Sequence, residues 1–212
     1  MTLVVIAFAI LGGAIGLAAD RLGARWPAHE DGSVRARDWR SALLVAGGAL
    51  AFGALPARWT EPRDLAILGL YFTALFVLAA CDLDQKLLPD VVTLPLAGAA
   101  LALTLLGANP LLAGKEMPVA SAIIAGIAAP VILFVLDIVA RGALGMGDLK
   151  LVLGLGLMSG VTRLFGGLVV ASIASAAVIL VLIAARKLTL RTAIPFGPIL
   201  ILGGLLAALA PG

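Results

Sequence analysis

The sequence has one cysteine, Cys81, and one histidine, His29, and only 13% of its residues are charged. A lone cysteine closes no internal disulfide and builds no cysteine-rich zinc site. A lone histidine cannot supply the His-Glu-x-x-His spacing of a zinc protease. A Ser-His-Asp triad would need this one loop histidine to reach a serine buried elsewhere. The scarcity of charge accompanies 62% hydrophobic residues, a composition outside that of soluble globular domains. Water is not the main solvent of this chain.

Apolar runs recur along the sequence, at 3–19, 42–56, 65–81, 91–108, 119–140, 149–161, 164–185 and 194–210. About 20 apolar residues carry a helix across a bilayer, so these runs predict about eight spans, the second and sixth being short. A membrane β-barrel would alternate polar and apolar residues, whereas Leu65-Ala66-Ile67-Leu68-Gly69-Leu70 is apolar on every face. The expected fold class is therefore all-α, a polytopic transmembrane helix bundle. It forms one membrane domain over 1–212, with a short cytoplasmic loop at 20–40. The first run lacks the preceding positive charge of a signal peptide, since Arg21 and Arg25 follow it, and so reads as a retained helix.

Basic residues in short loops are held on the cytoplasmic side. With the N-terminus outside, 11 of the 15 basic residues fall in inner loops, and only Arg58, Arg63, Lys115 and Arg163 lie outside. The net charge of +3 thus reports orientation and leaves little reason to invoke nucleic acid; membrane lipid is the expected surrounding.

Carboxylates near membrane depth are costly and ask for a reason. Asp20, Glu30, Asp31 and Asp38 are assigned to the solvated first loop, and Glu61, Asp64 and Glu116 to outer turns. Asp137 precedes Arg141 by four residues, the spacing of an ion pair on one helix face. Asp84 and Asp90 lie in the turn 82–90, where Asp90 either caps the following helix or serves function directly.

Asp82 ends an apolar run, and Asp148 closes Gly145-Met146-Gly147-Asp148 at the entry to the sixth. The topology puts both at one depth on one face. Two carboxylates in a poorly hydrated site cannot both ionise cheaply, so they tend to share a proton and titrate as a unit. An aspartic protease needs such a pair: one member takes a proton from the attacking water and the other supports the developing oxyanion. Gly145 and Gly147 permit unusual backbone conformations and close approach of a substrate strand; the plainer reading is a glycine-rich turn with Asp148 as an N-cap.

Three segments together resemble the type IV prepilin peptidases, membrane aspartic proteases of the Gly-x-Gly-Asp class. They are Asp82-Leu83-Asp84-Gln85-Lys86-Leu87-Leu88-Pro89-Asp90-Val91-Val92-Thr93-Leu94-Pro95-Leu96, then Gly145-Met146-Gly147-Asp148-Leu149-Lys150, then Ile194-Pro195-Phe196-Gly197-Pro198. The match covers 65 to the C-terminus well, and Gly12-Gly13-Ala14-Ile15-Gly16 with Arg21 loosely. The resemblance implies that Asp82 and Asp148 are the catalytic pair. It implies prepilins or pseudopilins as substrates, cut after a glycine at the cytoplasmic membrane face to remove a short basic leader. Pro89, Asp90, Gly145, Gly147, Lys150, Pro195, Phe196 and Gly197 fall on motif positions that would support the site. Lys150 would tune the pair or meet an acidic group of the substrate, or else be a helix-end lysine at the interface.

Many members carry two Cys-x-x-Cys pairs that bind zinc after the first span and are credited with methylating the new pilin N-terminus. Here that place holds the cysteine-free stretch 20–40. No zinc and no cofactor are expected, and methyl transfer is in doubt. Two other readings compete. A transporter would carry an inverted repeat with broken helices at midplane, and the two halves show no such similarity. A noncatalytic component of a pilus or secretion assembly would use Asp82 and Asp148 only as caps. A Gly-x-Gly-Asp protease for another substrate, such as preflagellin, keeps the chemistry. The sequence leaves the oligomeric state open.

Overall fold

The computed structural model describes residues 2–28, 32–139, 145–186 and 196–210. His29, Glu30, Asp31, Arg141 and Pro195, and with them the expected Asp137–Arg141 pair, lie outside the described residues. The described residues form seven α-helices: α1 (Thr2–Gly23), α2 (Trp39–Arg58), α3 (Pro62–Gln85), α4 (Asp90–Leu105), α5 (Pro118–Val139), α6 (Met146–Ala184) and α7 (Gly197–Leu209). A single 3-10 turn, Pro110–Leu112, separates α4 from α5. Five helices are long and apolar enough to cross a membrane, and α4 and α7 have 16 and 13 residues. The sequence predicts about eight spans where five helices meet that length. Part of the difference is that α4 and α7 reach only about 20 to 24 Å at 1.5 Å per residue. The other part is that the sixth and seventh apolar runs are joined within α6.

The backbone of α6 leaves helical geometry at Gly160 (φ 67°, ψ 179°), a conformation that glycine adopts readily. Leu155 and Leu168 both reach α7: their Cδ2 atoms stand 2.7 Å and 2.6 Å from where a Cβ would lie on Gly204 and Gly203. In a straight helix those two leucines would be about 20 Å apart along the axis. The chain therefore doubles back at Gly160, and both arms of α6 pack on α7. The backbone groups freed by the break have partners, as irregular backbone inside an apolar bundle requires. Asn109 Nδ2 donates to the Met158 carbonyl at 2.9 Å, Thr104 Oγ1 donates to that of Leu157 at 3.2 Å, and Ser121 Oγ accepts the Val161 N–H at 3.1 Å.

At the far end of α7 the last carbonyls, which a helix leaves without internal partners, also find donors. Arg58 Nε reaches Leu209 O at 3.0 Å, Trp59 Nε1 reaches Ala208 O at 3.1 Å, and Arg163 Nη1 reaches Ala207 O and Ala210 O at 3.2 and 2.8 Å. Arg58 and Arg163, expected only as outer-loop basic residues, thus join Trp59 in capping the C-terminus of α7.

The helices α1 and α2 meet along glycines. A Cβ on Gly12 would strike the Gly48 carbonyl, one on Gly48 the Gly12 carbonyl, and one on Gly16 the Leu44 carbonyl. In lipid, where burial of apolar surface drives helix association weakly, such small-residue seams hold helices through close backbone packing. Replacing Gly12 by leucine is expected to destabilise the detergent-solubilised protein by about 3 kcal/mol through overpacking. Gly98→Leu, where a Cβ would meet nothing, is expected to stay within about 0.5 kcal/mol of wild type. Thermal unfolding of the two variants side by side checks the contrast.

Candidate active site

Asp82 sits in the last turn of α3 and Asp148 in the first turn of α6. Their positions follow from how these helices end and begin. The α3 helix stops where Lys86 takes a left-handed conformation (φ 54°) and its N–H closes on the Asp82 carbonyl at 2.8 Å. Pro89 then precedes the first residue of α4. The α6 helix starts after Gly145, whose N–H donates to Asp148 Oδ2 at 3.1 Å while the Asp148 N–H donates to the Gly145 carbonyl at 3.0 Å. Asp148 is therefore not the N-cap itself. It reaches back from the third helical position with one carboxylate oxygen and leaves the other for a different purpose.

Both side chains are buried, with Asp82 5% and Asp148 8% exposed. Asp82 Oδ2 and Asp148 Oδ1 have no hydrogen-bond partner among the described residues. Buried carboxylate oxygens are costly to leave unmatched, which sets these two atoms apart from the other carboxylates of the bundle. Gly197, at the start of α7, covers Asp82: a Cβ there would lie 2.6 Å from Oδ2 and 2.7 Å from Cγ. Only glycine lets α7 approach the carboxylate so closely. The third sequence segment thus meets the first at this point, with Phe196 packed against the core beside it.

The glycines of the Gly-x-Gly-Asp segment do not adopt the unusual backbone conformations that the sequence allowed for. Gly145 has φ −87° and ψ 151°, open to any residue, and Gly147 is not among the glycines of positive φ. Gly147 is needed for proximity instead, since a Cβ there would stand 2.9 Å from Leu88 Cβ. That contact docks the start of α6 onto the turn between α3 and α4. Leu88 and Pro89 are buried in that turn.

The remaining polar residues are already engaged. Lys150 Nζ bridges both oxygens of Asp90, at 2.8 and 2.6 Å, and ties α6 to α4. Asp90 is the first helical residue, Pro89 holds the cap position, and no side-chain cap bond forms there, so the capping role expected for Asp90 is corrected to an ion pair. Asp84 is held by Arg35 at 2.6 Å and Arg40 at 2.8 Å.

Asp20 is also corrected. Instead of belonging to a solvated loop it lies in the last turn of α1, fully buried, with Ser41 donating to it at 2.7 Å and with Arg21 and Arg35 as ion-pair partners. Residues 24–38 alone connect α1 to α2, the helices extending into both ends of the expected 20–40 loop. This cluster escaped sequence reading because its members are dispersed over 64 positions, from Asp20 to Asp84. The available signal was that Asp20 directly ends an apolar run.

Among the described residues no three His, Cys, Asp or Glu side chains group as a metal site. What the arrangement offers is a pair of buried acids with free acceptor oxygens, suited to moving a proton onto and off a bound water. An apolar cleft of about 580 Å³ opens between α3 and α4, lined by Ile67, Leu70, Val92, Leu96 and Leu103 among others.

Comparison with known proteins gives a consistent answer. The type IV leader peptidase family matches residues 69–184, which include both aspartates. A "Prepilin leader peptidase/N-methyltransferase" of Burkholderia pseudomallei (strain 1026b) is 35% identical over 185 residues, covering 86% of this chain and 54% of the relative. A protein of the same name from Dickeya chrysanthemi is 31% identical over 173 residues, covering 78% of this chain and 58% of the relative. The chain spans about half the length of these curated relatives. No solved structure matches it significantly.

Proposed function

Because this chain belongs to the type IV leader peptidase family, we propose that it is a membrane aspartic endopeptidase that removes the short basic leader from type IV prepilins or pseudopilins. The observation that carries this reading is the pair of buried carboxylates, at the end of α3 and the start of α6, each with one oxygen unpartnered among the described residues. In the proposed mechanism Asp82 and Asp148 share one proton across a bound water. The ionised member takes a proton from that water as it attacks the scissile carbonyl, and the protonated member donates to the oxyanion. The first carboxylate then returns its proton to the leaving amine, which restores the pair.

The site acts at the cytoplasmic face of the inner membrane, with the N-terminus outside and the two arms of α6 crossing separately. The placement of 11 of 15 basic residues in inner loops supports this orientation. The leader's basic residues stay near anionic headgroups, since Asp84 and Asp90 already hold Arg35, Arg40 and Lys150. The apolar helix of the substrate lies in the cleft between α3 and α4, whose lining is apolar. Methyl transfer forms no part of the proposal.

The test is cleavage of a prepilin by the purified detergent-solubilised protein in the presence of EDTA. Processing just after the leader glycine, undiminished by the chelator, is the expected result. Failure to cut any prepilin or pseudopilin offered, by a protein that elutes folded, would overturn the reading in favour of a noncatalytic assembly component.

A further inference from the structure

The last turn of α3 has two sides. At 100° per residue, Ala80 and Asp84 lie on one side of the helix, Asp82 points about 160° away from both, and Cys81 and Gln85 lie between, about 100° and 60° from Asp82. Ala80, Cys81, Asp84 and Gln85 are held by Gly23 at the end of α1 and by Trp26, Pro27 and Arg35 beyond it. Gly23 packs against the Ala80 backbone, its Cβ position only 2.9 Å from the Ala80 carbonyl carbon. Cys81 Sγ donates to Trp26 O at 3.6 Å, and Gln85 Nε2 donates to Pro27 O at 2.6 Å.

Asp84 is gripped by Arg35, and Arg35 is the hub of the group. Its Nε lies 2.6 Å from Asp84, its Nη2 2.5 Å from the buried Asp20, and its Nη1 2.7 Å from Asp38, the residue that caps α2. One guanidinium therefore joins the end of α1, the start of α2 and the end of α3. Its planar fork of five donors suits that task in a way an ammonium does not.

We propose that Arg35 is a positioning residue for Asp82, fixing the last turn of α3 from the side opposite the aspartate pair. The inference rests on the reading of Asp82 as a catalytic carboxylate. Arg35 acts through Asp84 and the helix backbone. With Gly197 pressing directly on Asp82, the last turn of α3 is held between α7 and the contacts from Gly23, Trp26, Pro27 and Arg35. A catalytic group displaced by about 1 Å loses on the order of 10²-fold in rate, so loosening this clamp registers in turnover before it registers in substrate binding.

The experiment compares kcat and KM for prepilin cleavage by wild type, Arg35→Lys, Arg35→Ala and the paired Arg35→Gln with Asp84→Asn. The paired variant removes both charges of the Arg35–Asp84 ion pair together, while Arg21 remains beside the buried Asp20. Arg37→Ala, an exposed arginine of the same segment, serves as the reference and keeps wild-type constants. For Arg35→Ala and for the paired variant, kcat is expected to fall by about 10- to 100-fold with KM within about twofold of wild type, and Arg35→Lys recovers part of the loss. A folded paired variant with wild-type kcat overturns the positioning role, as does a change confined to KM. Inactive wild type on the same substrate would instead overturn the peptidase reading itself, so the two failures are distinguishable.

Discussion

Asp82→Asn and Asp148→Asn are each expected to lower the proposed prepilin cleavage by about 10³-fold or more, the loss that follows when a proton-transferring group is removed. Asparagine has the shape of aspartate but cannot exchange a proton. At Asp148 the substitution retains an oxygen to accept the Gly145 N–H, which in the wild-type protein lies 3.1 Å from Oδ2, so the first turn of α6 is preserved. At Asp82 the side chain makes no hydrogen bond through Oδ2, and helix α3 depends on the Asp82 carbonyl and not on its side chain at that point. Both variants should therefore fold, and thermal unfolding within a few degrees of wild type marks the loss as chemical. Because the two acids act as a unit, the double variant is expected to be no worse than either single one. Equal activity of wild type and both variants on the same gel would eliminate the pair as the catalytic machinery.

Gly197→Ala is expected to lower kcat by about 10²-fold through displacement of the carboxylate, although alanine is the smallest change available. The added methyl would sit 2.6 Å from Asp82 Oδ2 and 3.0 Å from Oδ1, closer than van der Waals contact allows. Either Asp82 turns away from Asp148 or the start of α7 backs off, and both widen the pair. The cost in stability is small by comparison, since Gly197 opens α7 where its neighbours can shift. A kinetic comparison with Gly145→Ala decides the matter. A Cβ on Gly145 meets nothing nearer than 3.5 Å, so that variant keeps most of its activity. Similar kcat values for the two variants would refute the close-approach role assigned to Gly197.

The resemblance and the structure divide the glycines of the motif segments in an instructive way. Gly145, Gly147 and Gly197 look equivalent in sequence, as small residues beside the proposed site. Distances separate them into one with ordinary backbone and free space, one that docks α6 onto Leu88, and one that presses on a carboxylate. Lys150 and Asp90 show the same limit. Sixty positions apart, they form an ion pair that neither residue suggested in isolation.

By itself the sequence determined the all-helical class, most of the helix boundaries to within a few residues, and Asp82 and Asp148 as the acids that ordinary surface roles leave unexplained. These follow from local physics: long apolar runs without alternation fold as helices where water is absent, and a carboxylate at the end of such a run is costly enough to stand out. The tertiary structure alone decided the rest. It turned Asp20 from a solvated loop residue into a buried ion-pair partner, made one interrupted helix of two apolar runs at Gly160, and set Arg35 between three helix ends. The physical reason is common to all three. An ion pair, a backbone reversal and a close approach gain their energy from partners distant in sequence, and no local pattern encodes which partner the folded bundle will supply.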